Sequence, residues 1–129
     1  MTSEPTVYVV DDDAAVRDSL VCLLETSGLS AHGFSSASEF LEQFDRDRVA
    51  CLVLDLRMPG MDGLELQHRL AEENRPLPVI LVTAHGPDPE SMASIQGSET
   101  SVLQKPFDGQ ELLRHVREAL VRAEQLRRG

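Results

Sequence analysis

The stretch VVDDDAAVR, residues 9–17, decides the fold, because an apolar run that begins at Val7 stops abruptly in three consecutive carboxylates. A run of β-branched residues reads as a buried strand, and an Asp directly after it is an ordinary N-cap for a following helix. One Asp meets that need. Three in a row ask for a counter-charge.

Outward from this stretch, short β-rich runs alternate with helical patterns, the signature of βαβ units and of a parallel sheet covered on both faces. TVYVV, 6–10, leads into a helix expected from Asp13 to Ser27, in which Val16, Leu20, Leu23 and Leu24 form an apolar stripe and Gly28 marks the end. A short strand at SAHGF, 30–34, and a helix at SASEFLEQF, 36–44, follow, with Ser36 as N-cap and Phe40, Leu41 and Phe44 facing the core. ACLVL, 50–54, is apolar at every position, as a central strand buried on both faces must be, and it ends in Asp55. The Pro- and Gly-punctuated loop RMPGMDG then precedes a helix expected over 62–74 that buries Leu66 and Leu70. PVILV, 78–82, is the next buried strand and ends in Thr83.

In HGPDPESMASIQGSETS, 85–101, Met92 and Ile95 indicate one short amphipathic helix that Gly97 interrupts. SVLQ leads into Lys105-Pro106, and a last helix from Asp108 buries Leu112, Val116, Ala119, Leu120 and Ala123. On this reading a domain covers 1–121, and RAEQLRRG, 122–129, is its helix end or the start of a linker.

Composition narrows the function classes. A chain of 129 residues is one domain's worth. A net charge of -10 and a pI near 4.7 argue against a nucleic-acid surface, which needs clustered Lys and Arg. Cys22 and Cys51 lie in apolar stretches without CxxC spacing and read as reduced core thiols of a cytoplasmic protein. MTSEPT lacks the features of a signal peptide, and no apolar run approaches the ~20 residues that span a bilayer, so a soluble protein without membrane contact is expected.

In a parallel sheet every carboxyl end lies on one edge, and ligands of open α/β sheets bind there. The strands end in Asp11-Asp12-Asp13, Asp55, Thr83 and Lys105, so the reactive side chains share one rim. Clustered carboxylates repel one another unless a cation sits among them. A hard divalent ion, Mg²⁺ above all, takes such oxygen ligands at ~2.0–2.1 Å and keeps positions for water or a phosphoryl group. Lys105 adds a positive point charge.

VVDDD, LVLDLRMPGMDG, VTAHG and LQKPF, in that order and spacing, resemble the receiver domain of two-component response regulators, and TAHG with DLRMPGMDG is most similar to receivers of the nitrogen-fixation regulator type. The resemblance implies a flavodoxin-like, doubly wound α/β fold: a five-stranded parallel sheet of order 2-1-3-4-5 inside a three-layer αβα sandwich. It implies that Asp55 takes a phosphoryl group from a phosphohistidine on a sensor histidine kinase or phosphotransfer protein, forming an acyl phosphate. Asp12, Asp55 and the backbone carbonyl of Arg57 would hold Mg²⁺ directly, with Asp11 acting through a water and Asp13 mainly capping the helix. Thr83, the Ala84 N–H and Lys105 would bind the phosphoryl group. Three negative charges then balance two from the metal and one from Lys105, and phosphorylation adds roughly one to two more, which drives a switch controlling an output such as transcription. The domain catalyses only its own modification.

The family's pattern is broken in two places. Its members usually carry Tyr or Phe where this chain has Val102, and a Gly-Ala step where it has Gly97-Ser98-Glu99-Thr100. The chemistry reads as intact, while the output region, 86–102, and with it any homodimer formed on phosphorylation, reads as altered. Arg57 and His85 flank the site, where they screen attacking water or simply lie in solvated loops. Two other readings stand beside the switch: a pseudo-receiver that works by association alone, and a Mg²⁺-dependent phosphatase of the haloacid dehalogenase type, whose DxD pattern the triplet satisfies formally.

Overall fold

Five parallel strands form one sheet, ordered β2-β1-β3-β4-β5, in a computed structural model that describes residues 5–44, 49–55, 77–83, 100–104 and 106–128. The strands are β1 (Thr6–Val10), β2 (Ser30–Phe34), β3 (Ala50–Asp55), β4 (Val79–Thr83) and β5 (Thr100–Gln104). The described helices are α1 (Ala14–Thr26), α2 (Ala37–Gln43) and a C-terminal α3 (Gly109–Arg128). The expected loop and helix over 57–74 and the Met92–Ile95 segment lie outside the described residues.

Alternation along the strands explains how one sheet supports two cores. Val7, Val9, Cys51, Val53, Ile80 and Val82 point to one face, where Leu20 and Leu24 of α1 and Leu112, Leu113, Val116 and Leu120 of α3 cover them. Tyr8, Val10, Leu52, Leu54 and Leu81 point to the other, against Ala37 and Phe40 of α2 and the adjoining Phe44. β1 and β3 are neighbours in the sheet, and every residue from Thr6 to Val10 and from Ala50 to Leu54 is buried. Their unbroken apolar character therefore reflects burial on both faces rather than a transmembrane run. No helix among the described residues is long and apolar enough to cross a membrane.

The helix ends follow local chemistry. Asp13 has extended backbone (φ -86°, ψ 110°) and its carboxylate accepts from the Ala15 and Val16 N–H groups, which fixes the start of α1. At the other end the Leu29 N–H donates to Leu24 O at 3.0 Å and the Gly28 N–H to Glu25 O at 3.1 Å, a Schellman closure. That closure requires a left-handed residue, and Gly28 supplies it with φ 87°. The Ser36 hydroxyl accepts from the Glu39 N–H at 3.1 Å and starts α2.

One expectation is corrected here. Cys22 is not a core thiol; it is exposed on α1, while Cys51 is buried in β3. Cys22 lies two residues from both Leu20 and Leu24, about 200° around the helix from the buried stripe. An apolar neighbourhood in sequence therefore placed it on the wrong face.

Candidate functional site: an acidic rim

Strand register brings the acidic residues together. Val10 of β1 is level with Leu54 of β3, so the next residue on each strand, Asp11 and Asp55, emerges at the same height of the sheet. Neighbouring strands run about 4.7–4.9 Å apart, which is carboxylate-to-carboxylate reach. Asp12 follows Asp11 at the turn into α1. Carboxylate oxygens of Asp11, Asp12 and Asp55 accordingly lie within 4.8 Å of one another.

The three differ in environment. Asp11 is 4% exposed, Asp55 half-buried and Asp12 exposed. A buried carboxylate needs partners, and Asp11 Oδ1 accepts from the Asp13 N–H at 2.9 Å. Its own N–H donates to Phe34 O of β2 at 3.2 Å. Its carbonyl accepts from Nη1 of Arg17, one turn into α1, at 2.8 Å. The cluster also lies against the N-terminus of α1, where the helix dipole favours negative charge.

The donor set is carboxylate oxygen throughout, with one member desolvated. That chemistry suits a hard divalent cation and does not suit a soft thiolate-seeking metal. Asp11, Asp12 and Asp55 are thus able to hold one.

Thr83 is the last residue of β4, so its backbone stands on the same rim. Arg57, Ala84, His85 and Lys105 lie outside the described residues. Asp13 caps α1, as expected. Arg17 was not singled out by sequence. A glycine inside a strand, Gly33, marks a close approach by some other group without naming it.

A doubly wound parallel sheet with a cation-ready acidic rim defines a flavodoxin-like α/β module of the receiver class. The family model for the response regulator receiver domain matches residues 7–117. The response regulator protein TodT of Pseudomonas putida is 41% identical over 121 residues, 94% of this chain and 53% of that protein. The transcriptional regulatory protein FixJ of Bradyrhizobium diazoefficiens is 37% identical over 124 residues, 96% of this chain and 60% of that protein. Among solved structures the response regulator StyR superposes with a TM-score of 0.87 at 40% identity, covering 98% of this chain and 64% of that one. The chain belongs to the response regulator receiver domain family. It spans just over half the length of the curated relatives it matches.

Proposed function

We propose that this chain is the phosphoacceptor switch of a two-component phosphorelay, with Asp55 as the acceptor. The observation that carries the reading is the convergence of Asp11, Asp12 and Asp55 on one rim of the sheet, in a chain of the receiver family. Family membership brings the donor, since receivers of two-component systems take phosphoryl groups from histidine kinases. A sensor kinase or phosphotransfer protein is therefore the proposed partner, and the cytoplasm the proposed compartment.

Asp55 supplies the nucleophilic oxygen. As its carboxylate forms the O–P bond, the P–N bond to the donor histidine breaks, and the released imidazole keeps the electron pair and takes a proton from solvent. Such a transfer needs positioning and charge neutralisation more than covalent help. Asp11, Asp12, Asp55 and the Arg57 carbonyl would hold the cation, for which we propose Mg²⁺; when bound, it neutralises phosphoryl and carboxylate oxygens together. Lys105, the Thr83 hydroxyl and the Ala84 N–H are assigned to the phosphoryl oxygens. This chemistry modifies only the protein itself, so the chain is not a turnover enzyme.

The added charge is the proposed switching force, and control of transcription the proposed output, in keeping with FixJ among its relatives. Readout through 86–102, and any phosphorylation-dependent homodimer, would depart from the family's habit because Val102 replaces an aromatic residue.

Mass spectrometry after incubation with acetyl phosphate and Mg²⁺ tests the reading. One metal-dependent, alkali-labile phosphoryl adduct is expected in the wild type and none in Asp55→Asn. A wild type that binds Mg²⁺ yet gains no adduct would instead favour a pseudo-receiver acting by association.

A further inference from the structure

We propose that Arg17 is a positioning residue for the acidic rim, and that Gly33 is the gap through which it reaches. This inference rests on Asp11, Asp12 and Asp55 forming a divalent-cation site. The Asp11 carbonyl that accepts from Arg17 Nη1 at 2.8 Å belongs to the peptide unit joining Asp11 to Asp12. The preceding peptide unit is held on the other side by the Asp11 N–H bond to Phe34 O, and the side chain by the Asp13 N–H. With both peptide planes and its carboxylate held, Asp11 is fixed in place, and so is the point at which Asp12 leaves the chain.

The path of the arginine explains the glycine. A Cβ on Gly33 would stand 2.9 Å from Arg17 Cγ and 3.0 Å from Cδ, distances that force the side chain to move, and 3.4 Å from a Val21 methyl. Gly33 is level with Val9 inside the β1–β2 pairing, where a glycine weakens a strand. Its place there is accounted for by the arginine stem crossing over it to the end of β1.

Arg17 also carries a positive charge, which by itself disfavours any cation nearby. Charge and positioning separate by ion. A charge acts alike on two divalent ions, whereas Mg²⁺ demands near-ideal octahedral geometry and Ca²⁺ accepts a looser one. The ratio of the two affinities therefore reads geometry.

Calorimetric titration with Mg²⁺ and with Ca²⁺, alongside cation-free melting, tests the proposal on wild type, Arg17→Met, Gly33→Ala, Arg17→Ala and the double variant Arg17→Ala with Gly33→Ala. Arg17→Met keeps the stem and loses the donor, so Mg²⁺ affinity should fall by roughly tenfold, the low end of the cost of losing an outer-shell partner, and Ca²⁺ affinity by less. Gly33→Ala should move the ratio the same way, and should change nothing further in the Arg17→Ala background. A parallel change for both ions, or a Gly33→Ala effect that persists without the arginine, would overturn the positioning role. A wild type that binds neither ion would remove the cation site itself, and this role with it. A wild type that binds both, with a ratio that no variant moves, would remove only the role of Arg17.

Discussion

Cys51 and Cys22 show how a single position acquires its chemistry. Cys51 is wholly enclosed in β3, and burial pushes its thiol from 9.0 up to about 12. A raised folded value means that the native state keeps a proton the unfolded chain gives up. The associated stability is therefore complete below about pH 9 and is lost as pH rises from there toward 12, with a slope of up to about 1.4 kcal/mol per pH unit. Urea titrations between pH 8 and about 11 should show this decline in the wild type in excess of that in Cys51→Ala; parallel curves would show that Cys51 contributes no pH dependence. The same scale marks what was legible in the sequence. Asp11 and Asp55 are readable because each ends an apolar run, Asp12 because it adjoins Asp11, and strand ends of a parallel sheet share an edge. Arg17 is not, because its importance depends on a crossing over β2, and nothing in the spacing of Arg17 and Gly33 announces that.

At the scale of elements, α1 and α2 are stopped and started by residues that the sequence displays openly: Asp13, Gly28 and Ser36. Caps alone do not hold a helix as short as α2, whose seven residues fall well under the ~12–15 at which isolated helices become even marginal. Its stability comes from Phe40, fully buried and stacked on Phe44 with ring centroids 4.4 Å apart. Removing the cap with Ser36→Ala should cost about 1 kcal/mol. Phe40→Ala should cost about 3–5 kcal/mol, since it combines lost burial with a cavity. Chemical denaturation of the two variants measures the comparison, and equal losses would mean that capping matters as much as packing. The central strands β1 and β3 were legible to within a residue or so, because a doubly buried strand has no polar face to blur it. The exposed side of α1 was less legible, since Cys22 is apolar enough to pass for core.

For the whole molecule, burial follows position in the sheet. β1 and β3 are central and buried from Thr6 to Val10 and from Ala50 to Leu54, while β2 exposes His32 and Gly33 and lies at an edge. The C-terminal helix extends the core past the limits of the family match. α3 continues to Arg128, and Ala119, Leu120 and Ala123 are buried beyond residue 117. A chain ended after Arg117 should accordingly be destabilised by roughly 3 kcal/mol, the worth of one buried leucine and two alanines. Thermal unfolding of this shortened chain beside the full one measures the loss, and equal stability would show that these three residues add nothing to the core.

The aromatic side of the sheet has an optical consequence. The chain contains no tryptophan and one tyrosine, Tyr8, which lies in β1 three residues before Asp11. Around it stand Phe40, Phe34 and Phe44, with ring centroids 5.4, 5.9 and 6.0 Å away. Light absorbed by these phenylalanines is therefore passed to a single emitter, and the intrinsic fluorescence of the protein comes from one ring at the foot of the acidic rim. Every change in that emission can be ascribed to one known position, without a label and without a mutation.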